Sequence, residues 1–138
     1  MKLTSLESRM RAVAQGHAYL VTVSGDGKPH AVPVTFAGSH EQLAIGIDEK
    51  PKSTNDLKRL RNIRENSRVS LLWDHYDDDW TQLWWARADG KASIEERGAL
   101  WEDAWAALNR KYQQYQGRRH EGPVILVEVT NWTGWAHG

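Results

Sequence analysis

Residues 17–38 read HAYLVTVSGDGKPHAVPVTFAG, and this stretch decides the fold. Two runs rich in β-branched residues flank the turn Gly25-Asp26-Gly27-Lys28, whose glycines and aspartate suit a tight reversal. The pattern is that of an antiparallel hairpin. Pro29 and Pro33 carry no amide hydrogen for a ladder, so the second run is expected at a sheet edge or with a local break.

The elements around the hairpin extend the same architecture. Residues 6–15 read as a short amphipathic helix stopped by Gly16. The polar turn Gly38-Ser39-His40-Glu41 leads into a third strand, QLAIGID. RVSLLWDHY and TQLWWARADGKASIE read as two long strands around the acidic loop Asp77-Asp78-Asp79. From Arg97 to about Tyr115, a second helix sets Trp101, Trp105, Leu108 and Tyr112 on one stripe, a packing surface. GPVILVEVTNWTGW supplies a closing strand. With a further helix after residue 53, the count is six or seven strands and three helices, joined mainly by tight turns. That predicts a mainly β, antiparallel barrel-like sheet with flanking helices.

Composition narrows the function. The chain of 138 residues has the length of one domain, taken as residues 1–138. Lys+Arg and Asp+Glu balance at 18 each, so there is no overall basic field for nucleic acid. No cysteine is present, which excludes disulfides, zinc–thiolate sites and thiol catalysis and suits a cytoplasmic setting. No apolar run has the length of a membrane span. Eight tryptophans stand against one phenylalanine, an excess that suggests a pocket or subunit contact besides the core.

The positive charge is concentrated in residues 47–66, IDEKPKSTNDLKRLRNIREN. Ser53-Thr54-Asn55-Asp56 has the capping-box pattern, and Leu57, Leu60 and Ile63 recur at helical spacing. A helix start with Lys50 and Lys52 just ahead of it suits an anion. Thr54, Lys58 and Arg61, at i, i+4 and i+7, share one face beside the apolar stripe. Taken singly, each cation is explained by solvation. Taken together, cap, turn and cationic face converge on a phosphate or polycarboxylate.

The run WDHYDDDW invites a metal, with Asp74, His75, Asp77, Asp78 and Asp79 as ligands. Strand alternation places Asp74 and Tyr76 on the opposite side from Trp73, His75 and Asp77, and the spacing fails the calcium-loop pattern, so no metal is expected. His17, His30 and His40 stand alone, as structural or surface residues. No nucleophile–base set or glycine-rich phosphate loop can be assembled, which leaves a bound cofactor as the source of any reactivity.

GDGKPHAVPVTF, residues 47–80 and LWWARADGKA together resemble the pyridoxamine 5′-phosphate oxidase-like split-barrel family. More closely, they resemble its deazaflavin (coenzyme F-420) dependent subgroup. The resemblance implies a split β-barrel and a homodimer with two cofactor sites at its interface. It implies that Val32, Pro33, Val34 and Thr35 run along the cofactor ring, and that Lys50, Lys52, Ser53 and Thr54 hold the phosphate, with Lys58 beside them. Trp85 falls where the oxidase has a polar residue reaching the ring across the interface. The oxidase's C-terminal substrate-binding arginine motif is also missing, and Asn131-Trp132-Thr133-Gly134-Trp135 stands near the end instead. Both departures argue against pyridoxamine phosphate as the substrate.

A deazaflavin carries hydride, so such a protein has to fix the ring against a small-molecule substrate and exclude water. Trp73, Trp80, Trp85 and Trp135 are the expected apolar walls, while Trp101 and Trp105 are expected to pack. His75 and Tyr76 are the candidates for a proton donor. Two alternatives share the fold: FMN in place of F-420, and a non-catalytic carrier of F-420 or a tetrapyrrole. Lys58 and Arg61 favour the longer anionic tail of F-420.

Overall fold

The computed structural model describes residues 1–39, 41–47 and 57–138. His40 and the phosphate turn with Lys50, Lys52, Ser53 and Thr54 lie outside the described residues, as does the proposed capping box. In chain order the elements are α1 (Ser5–Val13), β1 (Ala18–Val23), β2 (Pro29–Val34), β3 (Ala37–Ser39), β4 (Gln42–Gly46) and α2 (Lys58–Glu65). After these come β5 (Arg68–His75), β6 (Trp84–Glu95), α3 (Ala99–Lys111) and β7 (Val124–Ala136).

The seven strands form one sheet in the order β2-β1-β5-β6-β7-β4-β3, every neighbouring pair antiparallel. The expected hairpin is there, with Ala18 opposite Val34 and Val23 opposite Pro29. β2 is an edge strand, as its prolines require. The other edge is β3, and only Thr35 and Phe36 separate it from β2 in the chain. Three residue steps reach at most about 11 Å, so the two edges must lie close together and the sheet must curl into a barrel. β4 pairs with β7 only over Val124–Val127; beyond that β7 keeps β6 and a single bridge from Lys2 to Trp135, so the barrel is split.

The closure is held from outside by α3. The backbone beyond its last turn becomes extended at Tyr112, which turns the phenol toward the crossover. The Tyr112 hydroxyl accepts from the Phe36 amide at 3.0 Å and lies 2.9 and 3.0 Å from the carbonyls of Gly16 and Phe36. Phe36 is fully buried and packs edge-on against Trp73. Trp101 and Trp105 pack as expected, both indole N–H groups donating to the Gly122 carbonyl. Trp105 also stacks on His120 at 4.0 Å.

Three boundaries depart from the sequence reading. α1 begins at Ser5 because Thr4 and Glu7 close a capping box, each backbone N–H bonded by the other's side chain. Gly38 and Ser39, expected in a turn, are strand residues paired with Leu43 and Gln42. The strand expected from residue 81 starts at Trp84, because Asp79 caps a 3₁₀ turn at Trp80–Gln82 through the Thr81 amide and hydroxyl. Those bonds also hold the Asp79 carboxyl below its ordinary value.

The helices cover different parts of the barrel. α2 buries Leu60, Asn62 and Ile63 on it, and Asn62 Nδ2 donates to Thr22 Oγ1 at 3.0 Å. α1 lies against Gly134, where any Cβ would meet Ser8 Oγ at 2.4 Å. α3 packs over Ala44, Val124 and Leu126, on the outside of β4 and the lower part of β7.

Lys111, the last residue of α3, has its Nζ buried 3.4 Å from the centre of the Phe36 ring, with no hydrogen-bond partner among the described residues. Burial pushes its pKa down from 10.5 to about 8. Between those values the unfolded chain holds more protons than the folded one, so this group makes stability rise with pH. The neighbouring Tyr112 phenol, raised by burial, acts in the opposite sense above its ordinary value of 10. Chemical denaturation from pH 8 to 9.5 is therefore expected to show a positive stability slope that is smaller in Lys111→Met. Equal slopes in the two proteins would remove Lys111 as its source.

Candidate cofactor and substrate face

Strand register lays out the outer surface of β2, β1, β5, β6 and upper β7 as rows. One row runs Pro33, Tyr19, Leu72, Arg87, Thr133; the next runs Ala31, Val21, Ser70, Asp89, Asn131. On the other side of the first row lie Asp74, Trp85 and Trp135. Tyr19 and Leu72 remain more than a third exposed, and Trp85 and Trp135 are half-buried. Among the described residues, the packed faces of the helices lie elsewhere on the barrel, so this face stays bare.

A polar cluster crosses it. Ser70 Oγ donates to Asp89 Oδ1 at 2.6 Å, Arg87 Nε reaches the same carboxylate at 3.1 and 3.3 Å, and the Arg87 guanidinium lies 5.8 Å from the centre of the Trp85 ring. The cluster borders a hollow of about 420 Å³ lined by Val21, Val23, Arg68, Lys91 and Thr130 as well. A bulge shapes it: Asp89 faces Asn131 while Gly90 faces Val129, leaving Thr130 unopposed and donating to the Asp89 carbonyl. Gly90 is needed there, since a Cβ would come within 2.3 Å of the Glu128 carbonyl oxygen. Sequence reading passed over Ser70, Arg87 and Asp89. The one available signal was Arg87-x-Asp89, two charges on one side of a strand.

The expected site residues separate into groups. Trp85 and Trp135 sit directly opposite each other, and Asp74 pairs with Trp85. His75, Tyr76 and Trp80 lie at the same end of the β5–β6 hairpin; Tyr76 and Trp80 are 69% and 65% exposed, and His75 Nε2 is 3.8 Å from Asp77 Oδ2. Trp73 does not join them. It is 1% exposed, stacked on Trp132 and set edge-on to Phe36, because its side of β5 faces the barrel interior. It is a core residue, not a pocket wall.

In the strand expected to run along the cofactor ring, Val32 and Val34 also point into the core, so only Pro33 and the backbone face outward. Thr35 Oγ1 lies 2.7 Å from the Tyr115 hydroxyl. Lys58 and Arg61 are exposed on α2. Lys58 is close enough to Asp26, in the β1–β2 turn, to help lower that carboxyl, whose main stabilisation is the Ser24 hydroxyl. β2 and β6 are three strand spacings apart, about 14 Å, so Pro33 and Trp85 do not meet within one chain. Among the described residues no three His, Asp or Glu side chains converge as metal ligands, and no helix is long and apolar enough to cross a membrane.

The sequence profile of the pyridoxamine 5′-phosphate oxidase family matches residues 6–136. The chain belongs to that family. Its members share the flavin-binding split barrel, an oxidoreductase framework. The structure of a candidate pyridoxamine 5′-phosphate oxidase from Listeria innocua is 25% identical, with a TM-score of 0.65 over 92% of this chain and 95% of that one. The haem-storage protein of Vibrio cholerae has the same fold, with a TM-score of 0.72 at 18% identity over 98% and 96% of the two chains. Among curated proteins, a 5a,11a-dehydrotetracycline/5a,11a-dehydrooxytetracycline reductase of Streptomyces rimosus is 36% identical over 61 residues. That match spans 44% of this chain and 42% of the reductase, less than half of either.

The two placements of tryptophan predict opposite outcomes on truncation. Trp73→Ala is expected to cost about 3–5 kcal/mol in urea unfolding, the range for a buried large aromatic. Trp80→Ala should stay within about 0.5 kcal/mol of the parent, as exposed side chains do. Comparable losses in the two variants would contradict this sorting.

Proposed function

We propose that the protein is a homodimeric reductase that uses reduced coenzyme F-420 to saturate a double bond in a planar organic substrate. The observation that carries this reading is the bare outer face. It holds Pro33 of the ring strand and the Trp85–Trp135 pair, on β2 and on β6–β7, with about 14 Å between β2 and β6 within one chain, so a second copy is needed to set an aromatic wall against the ring strand. A face with Tyr19, Leu72, Trp85 and Trp135 uncovered has the chemistry of an interface core, with Arg87 and Asp89 neutralising each other beside it.

The residues present fit an anionic, ring-bearing cofactor. Lys58 and Arg61 are exposed on α2, where they can meet a phosphate or polycarboxylate tail. Lys50, Lys52, Ser53 and Thr54 are assigned to the phosphate, and the outward backbone of Val32 to Thr35 to the ring. Reduced deazaflavin supplies a hydride, and a proton must reach the other end of the reduced bond. His75 and Tyr76, at the open end of the β5–β6 hairpin, are the residues proposed to deliver it. Trp80, Trp85 and Trp135 offer flat apolar walls that exclude water. The partial match to a reductase of dehydrotetracyclines supports an unsaturated, polycyclic substrate class.

Titration with F-420 and with FMN, followed by tryptophan quenching, tests the cofactor. Micromolar binding of F-420 and weaker binding of FMN are expected; micromolar FMN with no response to F-420 would overturn the assignment and favour FMN. Single-turnover oxidation of bound reduced F-420 by enones, quinones and biliverdin tests the activity. Failure with every acceptor would favour a carrier.

The cationic tail site makes a separate prediction. Lys58→Ala and Arg61→Ala should each weaken F-420 binding by about 1.5–3 kcal/mol, the worth of a charge-assisted contact. Both positions are exposed, so the circular dichroism spectrum should be unchanged in both variants and the melting temperature unchanged in Lys58→Ala. Unchanged affinity would return both cations to the solvated surface.

A further inference from the structure

On the side of the barrel away from the bare face, the split between upper β7 and the β3–β4 hairpin forms a groove. α1 is one wall, with Leu6, Arg9 and Val13; Gly38, Ser39, Glu41, Gln42 and Leu43 form the other; Val129 and Trp132 are the floor. Its volume is about 510 Å³, within the range of small-molecule sites.

Three features mark it as more than a gap. Leu6 and Val13 are exposed on α1 at 63% and 38%, an apolar wall that no described residue covers. The floor is rigid, since Trp132 is stacked on the buried Trp73 with ring centres 5.6 Å apart. The two charged side chains on opposite walls, Arg9 and Glu41, form no ion pair with any described residue. Gly38 completes the opening. It lies opposite Leu43 in the β3–β4 pairing, and a Cβ built on it meets nothing within 4 Å.

We propose that this groove binds a planar, mainly apolar molecule bearing an acidic group for Arg9 and a hydrogen-bond donor for Glu41, with Trp132 stacking on its ring face. The ring face supplies the apolar contact area, and the two opposed, unpaired charges set which way round the ligand lies. The site is separate from the outer face assigned to the cofactor, because Trp132 belongs to the opposite side of β7 from Trp135 and Thr133. It does not depend on the identity of that cofactor.

Anilinonaphthalene sulfonate has this chemistry and serves as the probe, read by its fluorescence on the folded 138-residue chain well below the melting temperature. Saturable binding of one dye per chain is expected. Gly38→Leu should fill the groove and weaken binding at least about tenfold, and Arg9→Glu should weaken it several-fold, with melting temperature and F-420 or FMN titrations unchanged in both. If Gly38→Leu alters the fold, Arg9→Glu, a surface change, carries the test alone. Absence of saturable dye binding, or binding unchanged in the folded variants, would overturn the proposal. Loss of dimerisation in Gly38→Leu by sedimentation would also overturn it, assigning the groove to a second copy.

Discussion

The structure depends on the passage from β2 to β3 through Thr35 and Phe36. Two residues cannot cross a flat seven-stranded sheet, so the edges β2 and β3 have to come together. The Tyr112 hydroxyl then bonds both backbone groups of Phe36 and reaches the Gly16 carbonyl, tying the crossover, the chain before β1 and the end of α3 to one oxygen. Buried Phe36 joins the same point to the core through Trp73. A crossover without that clasp would leave buried backbone groups unpaired, which costs more than the bonds themselves return.

Closure of this kind determines where chemistry can be placed. The barrel interior is filled by Trp73, Trp132, Leu71, Ile45 and their neighbours, so it is not a cavity for a cofactor. α3 occupies the outside of β4 and lower β7, and α1 and α2 pack elsewhere. What remains is the outer face of five strands and the split. On that face Arg87 and Asp89 neutralise each other, while Arg68 and Lys91 line the hollow beside them.

Legibility in the sequence follows the range of the interactions. The β1–β2 hairpin, the edge position of β2 and the packing of Trp101 and Trp105 were readable, because each rests on local periodicity or on proline's missing donor. β3 was not: a strand of only three residues, two of them Gly38 and Ser39, has the composition of a turn. The start of α1 was written in Thr4 and Glu7 but lay outside the apolar pattern. For Trp73, alternation separated the two sides of β5 correctly but gave no means of knowing which side faced inward. That depends on pairing with Ala86 of β6 and on Phe36, both distant in sequence. The family resemblance reached further than local pattern, since it carries non-local topology with it. The phosphate turn lies outside the described residues, and its assignment rests on the sequence.

The distance between Pro33 and Trp85 bears on how such a barrel can act at all. A strand spacing near 4.8 Å is a property of the backbone hydrogen bond and cannot be tuned by side chains. Residues three strands apart on one convex face therefore diverge, and a single copy offers a ring-sized ligand one flat wall at most. A second wall must come from another surface facing it. The proposed two-fold pairing of this face would supply that surface by symmetry and make two equivalent clefts at once, because an isologous contact repeats every pairing it contains. In the proposed dimer, the apolar residues of the face and the cationic side of α2 would be parts of one site divided between two chains, with Trp85 serving the partner's strand Val32 to Thr35.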